Sequence, residues 1–143
     1  IAVEESYVRD YFNLFGLTTT LGKDKFKHAL NDPFTNLTSE EDLGDEAFLE
    51  LNSEASDLYG LIHARYITSA VGMAKIYHKF GNGLYGHCPR ALCDRQKVIP
   101  VGMSDNMKVS RFKVYCPRCE EVYIPKFKYV NIDGAFFGTS FPH

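Results

Sequence analysis

The sequence predicts an α+β protein, in which an all-helical N-terminal domain precedes a smaller module with a short antiparallel sheet. Two observations carry this prediction: apolar residues recur at helical spacing in the first part of the chain, and short β-prone runs broken by Cys, Pro and Asp-Gly follow after Gly83. The chain has 143 residues, of which 45% are hydrophobic, so it can form a helical core and a second small module. We assign residues 1–83 to the helical domain and residues 84–143 to the second module.

Two helices are predicted at the N-terminus. In the first, over residues 4–13, acidic residues occupy the first turn, where the helix dipole favours them, and Gly16 closes the helix. Four aromatic or apolar side chains of this helix share one face: Tyr7, Val8, Tyr11 and Phe12. The second helix covers residues 23–30 and cannot continue through Pro33.

A long helix is predicted from Ser53 into Ile67, because its apolar face is almost unbroken. Another helix follows over residues 69–80, and the Gly-Asn-Gly sequence at residues 81–83 provides its left-handed stop. His63 and His78 fall within these helices, where a structural histidine is more common than a ligand or a base.

An acidic stretch near residues 38–46 separates the two pairs of helices. It has two interpretations: a capping box, since Thr38 and Ser39 each precede an acid by three residues, or a solvated acidic loop that could accept phosphate or bind polycations. The loop residues are Glu40, Glu41, Asp42, Asp45 and Glu46.

The four cysteines form two close pairs, Cys88 with Cys93 and Cys116 with Cys119, separated by residues 94–115. Two such pairs can bring four thiolates to one tetrahedral point, which is the closed geometry of a structural Zn²⁺ site. We therefore predict one structural zinc ion per chain. Two disulfides are the alternative, and His87 could replace one cysteine as a ligand.

Three short runs in the second module are predicted to be strands, over residues 112–115, 122–124 and 127–130. Alternation of cysteine turns with hairpins is typical of a zinc ribbon. Residues 81–86 also match G-x-G-x-x-G, but a nucleotide site needs a strand before this motif and a helix after it. Here a helix precedes and a cysteine turn follows, so we predict no nucleotide site and no catalytic residues.

In its longest motifs the chain resembles the regulatory beta subunits of casein kinase II. The motifs lie at residues 58–67 (LYGLIHARYI), 88–93 (CPRALC), 100–105 (PVGMSD), 115–119 (YCPRC) and 133–143 (DGAFFGTSFPH). The resemblance implies a protein that is not an enzyme but a zinc-dependent homodimer, which docks catalytic alpha subunits in a heterotetramer and modulates their stability and substrate choice. It also implies that the family's chains extend beyond both ends of this sequence, with a C-terminal tail that contacts the catalytic subunit.

The same resemblance implies a dimer interface around the cysteine turns, at Pro89, Ala91, Leu92, Met103 and Val122. The family's acidic loop contains longer unbroken acidic runs than this chain does.

A nucleic-acid-binding zinc ribbon is the alternative function. Basic and aromatic residues of the second module would provide the surface, namely Lys108, Arg111, Lys113, Arg118, Lys126 and Lys128 with Tyr115, Phe127 and Tyr129. A formal charge of -2 gives no general electrostatic attraction to nucleic acid, so we expect none to bind. No apolar run approaches a membrane span of about 20 residues, no signal segment opens the chain, and we expect a cytoplasmic and nuclear protein.

Overall fold

A computed structural model describes residues 1–24, 46–126 and 131–143. In these ranges the protein is α+β, as predicted. Its helices are α1 (Glu5–Val8), α2 (Tyr11–Leu14), α3 (Leu17–Leu21), α4 (Glu46–Ile67) and α5 (Ala70–Gly81); its strands are β1 (Ile99–Val101), β2 (Lys113–Cys116) and β3 (Glu121–Tyr123), followed by a 3₁₀ helix (Gly134–Phe136).

The chain divides into two compact units: Glu4–Ile62 forms one, and Ile1–Val3 with His63–His143 forms the other. The division falls inside α4, whereas the sequence places the end of the helical domain at residue 83. The sequence-based boundary follows the change of secondary structure and stays a prediction. Within the described ranges, none of the helices combines the length and apolar character needed to traverse a bilayer.

The N-terminal helix expected over residues 4–13 is two short helices, α1 and α2. Asp10 separates them, because its backbone is extended (φ -81°, ψ 112°) and its carboxylate accepts a hydrogen bond from the Phe12 amide at 2.9 Å. This aspartate therefore starts a new helix. Gly16, with a φ of 79°, then starts α3, which the sequence did not predict.

The prediction that Tyr7, Val8, Tyr11 and Phe12 share one apolar face is wrong in part. Val8 and Leu14 are buried, but the side chains of Tyr11 and Phe12 are 80% and 85% exposed. The break at Asp10 changes the helical phase, so residues spaced for one continuous helix no longer share a face. Among the residues of this unit that the structure describes, the buried apolar ones are Val8, Leu14, Leu17, Leu21, Leu58, Leu61 and Ile62.

The two long helices agree with the prediction for this region, except that α4 begins earlier than Ser53. Ser69 starts α5 by accepting a hydrogen bond from the Gly72 amide on its hydroxyl, at 3.2 Å. Gly83 has a φ of 68° and follows the end of α5, as a left-handed stop should. Ile67 and Ile76 pack with Phe141 in a buried cluster.

In the part of the chain that the structure describes, the sheet has three antiparallel strands in the order β1-β2-β3. Two of the predicted strands are confirmed as β2 and β3, and β1 was missed because Pro100 occupies its centre. Proline is tolerated there because β1 is an edge strand, where an amide donor is not required on the open side. Pro100 aligns with Val114 in the register.

Residues 131–143 return to the spacer between the cysteine pairs. Gly134 donates its amide to Ser110 O at 2.8 Å, Gly102 donates to Gly138 O at 2.8 Å, and Phe112 donates to Ile132 O at 3.0 Å. Asp133 caps the 3₁₀ helix through the Ala135 amide and also accepts from the Lys108 amide. The backbone of the spacer is thereby fixed by a segment that comes later in the chain.

His63 has a structural role, as its position in a helix indicates. Its Nδ1 lies 2.7 Å from Phe136 O, its ring meets Phe137 edge-on at a centroid distance of 5.5 Å, and burial lowers its pKa. The neutral ring therefore donates from Nδ1 to the carbonyl.

Three predictions lie outside the described residues: most of the helix over 23–30, the strand over 127–130 and the acidic loop at Glu40, Glu41, Asp42 and Asp45. Glu46 is the first residue of α4.

Candidate metal centre

The four cysteines converge at one end of the sheet. Cys116 is the last residue of β2, and Cys119 lies in the turn that leads to β3. Cys88 and Cys93 come from the segment between α5 and β1. The four sulfur atoms all lie within 4.8 Å of one another.

The distances between sulfurs distinguish a metal site from disulfides. Cys88 and Cys119 are 3.8 Å apart, Cys93 and Cys116 are 3.5 Å apart, and Cys93 and Cys119 are 3.2 Å apart. A disulfide requires about 2.05 Å, and all four cysteines are free. Tetrahedral Zn–S bonds of about 2.3 Å separate two sulfurs by about 3.8 Å, which is close to the observed values.

Tight backbone turns hold each pair of cysteines in place. In the first pair, the Cys88 amide donates to Gln96 O at 2.7 Å and the Gln96 amide donates back to Cys93 O at 3.1 Å. In the second pair, the Cys119 amide lies 3.4 Å from the Cys116 sulfur. Glu120, which follows, has a φ of 55°, so the chain reverses immediately after the last cysteine.

The pKa values of the two most closely spaced thiols are shifted in opposite directions. The pKa of Cys119 is lowered to about 6. Hydrogen bonding to Cys93 is the largest cause, and Arg90 and Tyr123 lower the pKa further. The pKa of Cys93 is raised to about 12. Burial is the largest cause, and hydrogen bonding to the other three cysteines raises the pKa further. Both sulfurs would be thiolates when they bind a metal ion.

The side chains of Arg90 and Tyr123 both contribute to the lowered pKa of Cys119, and sequence reasoning did not assign either of them to the site. Burial raises the pKa of Tyr123, so its hydroxyl stays protonated and can donate. Outer-shell donors of this kind orient metal ligands and tune the charge of the site. Arg90 could have been assigned to the site from its place in Cys-Pro-Arg, whereas Tyr123 comes close to the cysteines only through the pairing of β2 with β3.

His87 does not join the cluster of candidate ligands, which among the described residues consists of the four cysteines. Its backbone forms an isolated antiparallel bridge with Lys97. The cluster thus supplies four sulfur ligands, which fill a tetrahedral site and leave no open position for a substrate.

The predicted dimer residues all lie at the surface of this module. Leu92 is the most exposed at 93%, and Met103 and Val122 are 55% and 37% exposed. Pro89 and Ala91 are also exposed. The geometry therefore leaves this apolar group available for contact.

Comparison with known proteins identifies the family. The model of the casein kinase II regulatory subunit family matches residues 1–143. Casein kinase II subunit beta of Schizosaccharomyces pombe is 45% identical over 142 residues, which cover 99% of this chain and 60% of that protein. The subunit beta' of Drosophila melanogaster is 44% identical over 142 residues, covering 99% and 64%, and the subunit beta of Dictyostelium discoideum is 40% identical, covering 99% and 52%.

The fold and the cysteine cluster define a helical protein with a ribbon-like module whose four cysteines could hold a metal ion. More particularly, this chain belongs to the casein kinase II regulatory subunit family, and the three relatives above are named as beta subunits and not as the catalytic subunit. The chain spans between 52% and 64% of the length of these three relatives.

Proposed function

We propose that this protein is a zinc-dependent homodimeric regulatory subunit of casein kinase II. Two of these chains would dock two catalytic alpha subunits in a heterotetramer and modulate their stability and substrate choice. The observation that carries the proposal is the four-sulfur cluster at one end of the sheet, in a chain that matches the regulatory subunit family throughout.

Zinc is the metal that this ligand set favours. Four soft thiolates in tetrahedral arrangement select zinc or an iron–sulfur cluster rather than the oxygen-seeking cations. A single ion fits sulfurs that lie 3.2 to 3.8 Å apart. The role of this ion is structural, because no ligand position is left for chemistry.

The exposed apolar residues beside the cysteine turns support dimerisation. A stable interface buries roughly 800 Å² on each partner, and a two-fold dimer uses the same patch on both chains. Leu92, at the tip of the first turn, is 93% exposed and is one of five exposed apolar residues that the dimer model would cover.

We expect the Leu92→Glu variant to be monomeric at micromolar concentration, because two carboxylates would meet at the two-fold axis without partners. Light scattering checks this, and the variant should still contain one zinc ion per chain. The control is Val109→Glu, which also places a charge at an exposed apolar residue (65% exposed) outside the proposed interface. A wild-type protein that is monomeric at this concentration contradicts the dimer model.

Docking of catalytic subunits is inferred from the family and from the relatives, which are named as subunits of casein kinase II. Four free cysteines in close contact suit a reducing compartment. We therefore propose the cytoplasm and nucleus as the place of action.

The chain alone should transfer no phosphate from ATP. When the chain is added to a catalytic alpha subunit, the midpoint temperature of thermal unfolding of that subunit should rise, because a partner that binds only the folded state stabilises it. Size-exclusion chromatography should show the two co-eluting, with full-length beta subunit of Schizosaccharomyces pombe as the positive control. Absence of association at micromolar concentration, together with steep salt-dependent binding of single-stranded DNA, would favour the nucleic-acid alternative.

A further inference from the structure

A cavity of about 390 Å³ lies beside the first cysteine turn, in the unit that contains the sheet. This volume is within the range of small-molecule sites. Its wall combines apolar side chains, among them Val98 and Val114, with the polar side chains of Tyr85, His87, Arg95 and Lys126. Among the described residues that line it, none is an aspartate or a glutamate.

Arg95 and Lys126 bring two positive charges to this cavity. The carboxylate next to Arg95 in the sequence is that of Asp94, but it pairs with Arg118 at 2.7 Å. Among the described residues, neither Arg95 nor Lys126 takes part in an ion pair. Two cationic residues therefore line one cavity in a chain whose formal net charge is -2, with Cys88 of the sulfur cluster also in the wall.

The backbone at Arg95 is held in a costly conformation. Its φ is 53°, and that of Asp94 is 49°, a left-handed region that non-glycine residues rarely adopt and that Asn tolerates far better than Arg. The turn hydrogen bond from the Gln96 amide to Cys93 O, at 3.1 Å, fixes this geometry. An asparagine at this position would be less strained than the arginine, and residues held in strained backbone conformations cluster at ligand sites.

We infer that this cavity binds a small organic phosphate ester. The phosphate would lie between Arg95 and Lys126, since guanidinium and ammonium groups form charge-assisted hydrogen bonds with phosphate oxygens. Its organic part would lie against Val98 and Val114. The Tyr85 hydroxyl, whose pKa burial raises to about 12, is a further hydrogen-bond donor in the wall. This site is independent of the proposed docking of catalytic subunits.

Isothermal titration of the purified metal-loaded protein with phenyl phosphate tests the inference. We expect saturable binding that the Arg95→Asn and Lys126→Gln variants each weaken about tenfold or more, as expected for loss of a charge-assisted hydrogen bond. Arg95→Asn should meanwhile be at least as stable to denaturant as the wild type, because Asn relieves the left-handed strain. This variant thus separates loss of binding from loss of fold.

The matched control is Arg111→Gln, which removes an exposed positive charge outside the cavity and should change affinity by less than about twofold. Equal weakening by Arg111→Gln and Arg95→Asn would overturn the inference, as would no binding at millimolar phenyl phosphate. Phenol and inorganic phosphate are the two reference probes. If phenol binds as tightly as phenyl phosphate, the cationic residues do not recognise phosphate. If inorganic phosphate binds as tightly as phenyl phosphate, the apolar wall contributes nothing to affinity. The ligand is then not a phosphate ester.

Discussion

Replacement of Cys116 by alanine is expected to abolish metal retention and to unfold the module around the sheet. Cys116 is fully buried (0% exposed) and belongs to the cluster that also contains Val98 and Val114. The other three sulfurs cannot close a tetrahedral site. A structural zinc ion contributes on the order of 10 kcal/mol to folding, which is comparable with the whole free energy of unfolding of a domain.

Elemental analysis should give one zinc ion per chain for the wild type and well under one for Cys116→Ala, with loss of near-UV circular dichroism in the variant. His87→Ala is the control, because His87 precedes Cys88 directly but stays outside the sulfur cluster; it should keep its zinc. A folded Cys116→Ala protein in the presence of chelator would refute the structural role of the metal.

The Gly102→Ala substitution is expected to destabilise the protein by about 3 kcal/mol. A Cβ at this position would lie 2.2 Å from Gly134 O and 2.8 Å from Gly134 C. Both atoms belong to the backbone of the segment that returns to the spacer, so no side-chain rotation can relieve the clash. If the two segments moved apart to relieve the clash, the hydrogen bond from the Gly102 amide to Gly138 O, at 2.8 Å, would be strained.

Denaturant titration of the zinc-loaded protein measures this loss. Gly81→Ala provides the comparison, because nothing lies within 4 Å of a Cβ there and alanine favours the helix; we expect a stability within about 1 kcal/mol of the wild type. Equal unfolding midpoints for the Gly102 and Gly81 variants would mean that the contact with residues 134–138 can open at little cost.

Local signals explain which parts of the fold could be predicted. The end of α5 followed from Gly83, whose left-handed backbone a glycine supplies at no steric cost. The cysteine spacing placed four sulfurs together, because two short turns on one ribbon can converge without knowledge of the remaining fold.

Other features depend on contacts that sequence spacing does not reveal. Strand β1 contains Pro100, which reads as a strand breaker until its edge position is known. Tyr123 reaches the cysteines only because Tyr115 aligns with Val122 across β2 and β3. The break at Asp10 followed from one side-chain cap that competed with helix propagation.

The hydrogen bond between His63 and Phe136 has a consequence for synthesis of the protein, because 73 residues separate its two ends. At roughly 5 to 20 residues per second, a ribosome needs about 4 to 15 s to add that length. During this interval the end of α4 leaves the ribosome before its carbonyl acceptor exists, with the apolar side chains beside it still exposed to water. A nascent chain stalled before Phe136 should therefore present this helix end to chaperones, whereas release of the complete chain should remove that surface.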